Sequence, residues 1–351
     1  MSPDSERAPQ LTPRDREILR DVVATFLGTG EPVSSRRVAK LRQHGLSAAT
    51  IRNVMADLED LGLLLQPHTS AGRVPTESGY HVYIDSLMPS RGVPPELRRQ
   101  IDDSLKAEGG GEELTSMASH LLSELSQQIG IVVVPALGET VLRSISFVPL
   151  SGKRALCVLV SANGFVDSKV VETQRQVPRE ELIRISNYLT DNFGGQTLRQ
   201  IRDRLLGLMA EERAQMDRLL ASAMELARQA LVAGDPPDLL VEGTSSILTR
   251  PELADVERVR RLLDTFADKA RLVQLLSRLI EGEGVRVVIG QESDLTSDLD
   301  FSLVATSYGA GDQALGTMGI FGPSRMDYSA VIPLVNYLGA RLSQALERTM
   351  A

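Results

Sequence analysis

The chain of 351 residues has no tryptophan and one cysteine, Cys157. A single thiol excludes any disulfide within the chain and points to a reducing compartment. Any stacking role falls to six Tyr and seven Phe. Positive charge is scarce: 38 Lys and Arg stand against 46 Asp and Glu, a net charge of −8. That balance argues against a nonspecific polyanion binder, but not against a reader whose basic residues gather on one face. No apolar run approaches the ~20 residues that cross a bilayer, so no membrane partner is expected. The opening MSPDSERAPQ has no apolar core and does not read as a secretion signal. Residues 1–11 are expected to be a disordered leader, and the protein to be cytoplasmic.

Catalytic patterns are also missing. The histidines at 44, 68, 81 and 120 show no metal-ligand spacing with one another or with Cys157. Gly309, Gly311, Gly316, Gly319 and Gly322 fit neither GxxxxGK nor a dinucleotide fingerprint and read as strand-end turns. Asp294, Asp298 and Asp300 lack the glycine and glutamate of a calcium loop. Cys157 lies mid-strand among apolar residues, as a packed core thiol does. No nucleophile–base arrangement is legible, so neither an enzyme nor a metal or cofactor site is expected.

What the chain does have is punctuation. Thr12-Pro13 is a helix start, with Thr12 as N-cap and Pro13 at the first helical position. Ile18, Leu19, Val22, Val23, Phe26 and Leu27 keep helical spacing until Gly28 and Gly30. Ser34 caps a short second helix. His44-Gly45-Leu46 is a tight turn, and Ser47 caps a third helix that stops at Gly62. Leu63 to Gln66 and Arg73-Val74 read as two strands joined by a polar loop, and Thr76 caps the next helix. Residues 91–127 read as a helical linker interrupted by Gly109–Gly111. Strands follow from Ile129, with Asn163-Gly164 as a hairpin turn. Helical periodicity takes over from Pro178 to Leu231, and two further helices are expected within 251–266 and 268–280. Three strands come next, and a final helix begins near Tyr328. Strands, helices and strands again predict an α+β domain with a helical insertion.

Helix, short helix, turn, helix and two-stranded hairpin is the order of a winged helix-turn-helix. On the third helix Ile51, Val54, Met55, Leu58 and Leu61 share one face, which must pack inward. The opposite face carries Ala49, Arg52, Asn53 and Ala56. Small alanines allow approach to the major-groove floor, arginine can fork onto guanine, and asparagine onto adenine. From Ser34 to Ala56 the charged residues are Arg36, Arg37, Lys40, Arg42 and Arg52, with no acid among them. Ser47 and Thr50 lie at the helix N-terminus, where amides meet phosphate. The loop His68, Thr69, Ser70, Gly72 and Arg73 would be the wing. There Gly72 would supply a positive φ, Thr69 and Ser70 would hydrogen-bond phosphates, and Arg73 would neutralise a phosphate or enter the minor groove. A solvated basic face on a purely structural three-helix unit is the alternative.

The stretch SAATIRNVMADLEDLGLLLQPHTSAGRVPTESGYHVYID closely resembles the signature of the heat-inducible transcription repressor family, HrcA. LLVEGTSSIL, IGQE and LGTMGIFGPSRMDYSAVIPLVNYL match the family's C-terminal pattern in order, so the resemblance runs from Leu11 to about Leu346. It implies a homodimeric repressor of chaperone operons that binds an inverted repeat in double-stranded operator DNA. It also implies dependence on the chaperonin for activity. The architecture it implies is a winged helix-turn-helix domain (12–90) and a GAF-like α+β domain (128–177 and 238–351) with an inserted, mainly helical dimerisation domain (178–237).

Within that insertion Ile201, Leu205, Leu208, Met209, Met216, Leu219 and Ala223 recur at near-helical spacing. The stripe could pack on its own GAF-like domain or on a twofold copy of itself. A rival function is a metabolite-sensing regulator with a ligand pocket in the GAF-like domain. A cavity with convergent polar groups would favour it; a filled apolar interior would favour a scaffold.

Overall fold

In a computed structural model, Thr12 opens the first element. The structure describes residues 11–41, 45–89, 91–106, 110–134, 141–162, 164–173, 175–198, 239–244, 284–292, 300–310 and 313–350, with a few isolated positions between 200 and 276. The Thr12 hydroxyl accepts the Asp15 N–H at 3.2 Å while the Asp15 carboxylate accepts the Thr12 N–H at 2.9 Å. This reciprocal cap starts α1 (Pro13–Thr29), which left-handed Gly30 ends. Then come α2 (Ser35–Leu41), α3 (Ala48–Asp60), β1 (Leu64–Leu65), β2 (Val74–Pro75) and α4 (Glu77–Val82), which runs on into a π-helical turn at Tyr83–Leu87. Ile18, Leu19, Val22, Val38, Ile51, Val54, Met55 and Leu58 are buried in the shared core of this head. Each such side chain contributes roughly 1.5–3 kcal/mol over its exposed state. Leu61 is a correction. Expected inward, it is 48% exposed, because it is the C-cap of α3 and the chain turns away there into Gly62 at φ +71°.

The body begins with α5 (Pro95–Ser104) and α6 (Gly111–Ser126). The expected linker is a correction too. α6 buries Leu114, Ala118, Leu121 and Leu122 and packs on β3 (Ile129–Val133), so it belongs to the core rather than to a spacer. With β7 (Leu239–Glu242), β8 (Arg286–Ile289), β9 (Phe301–Ala310) and β10 (Gln313–Pro323), β3 forms one antiparallel sheet in the order β7-β3-β10-β9-β8. Gly316, Gly319 and Gly322 lie inside β10, not in strand-end turns. One sheet face, with Val132, Val304, Met318 and Ile320, packs into the cluster that holds α6 and α8 (Tyr328–Met350). The other, with Ile129, Ile131, Val133, Phe301 and Phe321, clusters with Leu272, Val273 and Leu276.

A second body sheet stands apart. β4 (Leu142–Pro149), β5 (Arg154–Ser161) and β6 (Val166–Glu172) pair only with one another among the described strands. Their inner face, with Ile145, Phe147, Cys157, Leu159 and Val171, shares a core with Leu182, Ile185, Leu189 and Phe193 of α7 (Arg179–Phe193). Ser186 and Thr190 of α7 accept the Phe147 and Ile145 N–H groups at 3.0 and 3.2 Å, which covers the free edge of β4. Sheet pairing thus divides the expected segment 128–177: β3 stays with 239–350, and β4–β6 go with α7. Ile201 is buried in this second core. Leu205, Leu208, Met209, Met216, Leu219 and Ala223, and most of the helices expected at 251–266 and 268–280, lie outside the described residues.

Candidate nucleic-acid interface

α3 is set by its N-cap. Ser47 Oγ accepts the Thr50 N–H at 3.1 Å and lies 2.9 Å from the Thr50 hydroxyl. Both hydroxyls therefore serve the cap, and the helix begins with its amides toward solvent. With Ile51, Val54, Met55 and Leu58 buried, Ala49, Arg52 and Asn53 are exposed and Ala56 is half-buried. Arg36 and Arg37 are exposed on α2, and Arg37 lies 3.4 Å from Glu31. The expected reading face therefore exists as a solvent-facing surface. Arg42 lies outside the described residues.

The ribbon differs from expectation in two ways. His68, Thr69 and Ser70 are exposed at its tip, in a turn closed by the Ala71 N–H donating to the His68 carbonyl at 2.8 Å. Gly72, however, does not take a positive φ. It is needed because the backbone crosses that of Val33 so closely that a Cβ would stand 2.4 Å from the Val33 carbonyl. Arg73 exchanges two backbone hydrogen bonds with Val33, at 2.8 and 2.9 Å. Its guanidinium turns inward onto Glu59 at 2.7 Å, and its side chain is 16% exposed. A cation so engaged is no longer a free phosphate contact.

Glu59 and Gln66 are the residues that sequence reasoning missed. The other Glu59 oxygen accepts the Gln66 N–H at 3.0 Å, so one carboxylate on the last turn of α3 holds both arms of the ribbon. The Gln66 carboxamide donates to the Thr69 and Ala71 carbonyls at 3.0 and 2.9 Å and ties the tip shut. Nothing local in the sequence marks these bonds. If this face binds DNA, Arg73→Ala should lower the affinity several-fold by loosening the ribbon, while the slope of log K against log salt stays at its wild-type value. A slope smaller by ~0.9, the contribution of one neutralised phosphate, would return Arg73 to the DNA backbone.

Other candidates resolve into structure. Burial pushes the Cys157 thiol up to about 12, with Asp167 adding to the shift, so it is protonated and unreactive. Among the described residues no group of three or more His, Cys, Asp or Glu could hold a metal, and no helix is long and apolar enough to cross a membrane. A cleft of about 210 Å³ lies between α5 and α8, lined by Asp102, Lys106, Arg341 and Arg348 among others. That is below the ~300–1,000 Å³ of ordinary ligand pockets. Its central charges, Asp102 and Arg341, are paired at 2.8 Å. In the main sheet the Tyr308 hydroxyl donates to the Val133 carbonyl at 2.8 Å, surrounded by apolar side chains. Among the described residues, the cleft is closed by a charge pair and the sheet face around Tyr308 is filled by apolar side chains.

A sequence profile described as "HrcA protein C terminal domain" matches residues 112–332. A protein of Xanthomonas campestris pv. campestris named heat-inducible transcription repressor HrcA is 41% identical over 343 residues, covering 98% of both chains. A protein of the same name from Xylella fastidiosa strain M12 is 40% identical over 340 residues, covering 97% of both. The crystal structure of a hypothetical protein aligns over 97% of this chain and 98% of its own, with a TM-score of 0.60 at 26% identity.

Proposed function

The chain belongs to the heat-inducible transcription repressor family HrcA, and on that premise we propose that it represses heat-shock chaperone operons in the cytoplasm as a homodimer bound to an inverted-repeat operator. The head is then a winged helix-turn-helix: α3 enters the major groove, and the ribbon tip, His68 to Ser70, lies on the adjacent backbone. The sheet of β3 and β7–β10 with its helices is the GAF-like domain. The inserted unit begins at β4 rather than at residue 178. The observation that carries this reading is the α3 surface, where Ala49, Arg52 and Asn53 face solvent within a stretch, Ser34 to Ala56, that contains no acid. Small residues beside a forked donor and a carboxamide suit direct readout of base edges. Arg36, Arg37, Ser47 and Thr50 supply phosphate contacts around that centre.

The second copy sits on the inserted unit. The outer face of the β4–β6 sheet carries Val148, Leu156, Val158, Val160, Val166 and Val170, with Ser144, Ser146 and Ser168 between them. Val148, Val166 and Val170 are 48, 53 and 50% exposed. A mainly aliphatic face of this kind, with Arg154 opposite Glu172 at one end, marks an association surface. Chaperonin dependence follows from the family resemblance, and a chain of several units with a discontinuous body has many ways to misassemble.

The test is binding of the full-length protein to the inverted repeat of its own chaperonin operon, against scrambled DNA, with and without chaperonin. Expected is a preference of at least ~10³ for the operator, with a larger active fraction when chaperonin is present. Equal affinity for both DNAs would refute operator recognition. Full stoichiometric activity that chaperonin leaves unchanged would refute the dependence.

A further inference from the structure

The head does not hang from the body by its connecting residues alone. On α4, Glu77 and His81 stand one helical turn apart on the same side. They face the short 3-10 turn Gly290–Glu292 that closes β8. The Glu77 carboxylate accepts the Gln291 N–H. His81 Nε2 lies 2.6 Å from Glu292 Oε1, and the other Glu292 oxygen accepts the Ile289 N–H at 2.9 Å. Gly290 holds φ +54°, and a Cβ there would strike the Glu77 carboxylate, so the turn is shaped to admit that side chain. Between the two polar contacts, Tyr80 packs on Tyr328 at the start of α8, with ring centroids 6.1 Å apart and planes at 57°. Both rings are buried. From the same corner the Arg325 guanidinium lies against Gly30, the C-cap of α1, where the helix dipole favours a cation.

The charges agree with this geometry. The Glu292 hydrogen bond raises the His81 pKa against the opposing effect of burial, and Asp85 and Glu77 raise it further. Burial pushes Glu292 up, but His81 and the Ile289 N–H outweigh it and leave the carboxyl below its ordinary value. The contact thus favours the imidazolium–carboxylate form of the pair. Two separated body segments, 289–292 and 325–328, thus grip one small head, while Ala49, Arg52 and Asn53 remain open to solvent.

We infer that Glu77, His81 and Glu292 are positioning residues for operator recognition: their contact fixes the angle and separation at which the two heads of a dimer meet the two half-sites. The inference rests on the dimeric, operator-binding reading above. A second head raises affinity only where its geometry allows simultaneous engagement. A head held rigidly must therefore be selective for spacing, and a head released from the turn must tolerate more spacings and gain less from any of them.

The experiment uses the full-length chain and a series of operators whose central spacer is lengthened in single base pairs to half a helical turn, ~5 base pairs. Wild type should lose ~10²-fold in affinity across the series as the second half-site rotates away. Glu77→Ala/His81→Ala should bind a single half-site as wild type does, bind the native spacing more weakly, and lose less than ~10-fold across the series. The single variant His81→Gln, at a side chain one-third exposed, should fall between them and guards against a folding defect in the double variant. A sharp, wild-type spacing profile in both variants would overturn the inference. So would tighter binding of the native palindrome, because the contact would then hold the head away from DNA. A wild-type protein that gains nothing from a second half-site would instead sink the dimeric reading itself, and the inference with it.

Discussion

Arg52→Ala/Asn53→Ala should erase base discrimination while leaving the fold and the nonspecific affinity nearly intact. Both side chains are exposed on α3, and alanine is the better helix former, so neither substitution gives the head a reason to melt. What is lost is two bidentate contacts to base edges, each worth about 1–3 kcal/mol of discrimination. Together that is about 2–6 kcal/mol, roughly 30- to 10⁴-fold in the ratio of operator to scrambled affinity. Competition anisotropy with the two DNAs reads the ratio, and circular dichroism checks the helix. If both affinities fall equally, these residues touch only phosphate, and reading would have to fall to Ser47, Ala49 and Thr50 at the helix start.

The second large effect belongs to the inserted unit. The registers place Val148 opposite Leu156 and Leu156 opposite Val170, a row of three aliphatic side chains across the outer face of β4, β5 and β6. Val148→Lys/Val170→Lys would put two charges onto each copy of a surface expected to meet itself about a twofold axis, so every buried lysine would face apolar surface. The expected product is a folded monomer by ultracentrifugation and circular dichroism, since both positions point away from the core shared with α7. It should keep half-site affinity and lose the ~10²–10⁴-fold gain that linkage of two heads provides. Three strands cover only roughly 14 by 20 Å. That is less than the ~800 Å² per partner of a standard interface, so this sheet alone does not make a standard interface. A double variant that stays dimeric would move the interface off this sheet.

Local signals carried much of the fold. Thr12, Ser47 and Thr76 each cap the helix that the sequence predicts for them, because a cap is an interaction over three residues and is written in adjacent letters. Periodicity likewise placed Ile51, Val54, Met55 and Leu58 inward. It did not assign strands to sheets: IGIVVV and the strands after it read alike, yet β3 joins one sheet and β4–β6 another, since alternation records which faces are covered and not what covers them. The strand Leu239–Glu242 was not anticipated, being four residues beside a proline-rich break. α6 reads as a spacer because Gly109–Gly111 stand at its start, although Leu114, Ala118, Leu121 and Leu122 mark a buried face. In the site, the outward residues of α3 and the two-stranded ribbon are legible, but what holds the ribbon is not. The inward turn of Arg73 depends on Glu59, and the need for glycine at 72 depends on Val33, neither of which is a sequence neighbour.

The solitary thiol has a practical side. Cys157 is sealed between its sheet and α7 with no other cysteine in the chain. A thiol reagent therefore meets nothing until that unit opens, and a single label on the chain reports one event. The wild-type protein thus carries its own clock for the breathing of the inserted unit, one that runs at the rate of local opening rather than of global unfolding. Warming the protein and counting labelled chains would time when the inserted unit loosens against when the heads let go of DNA.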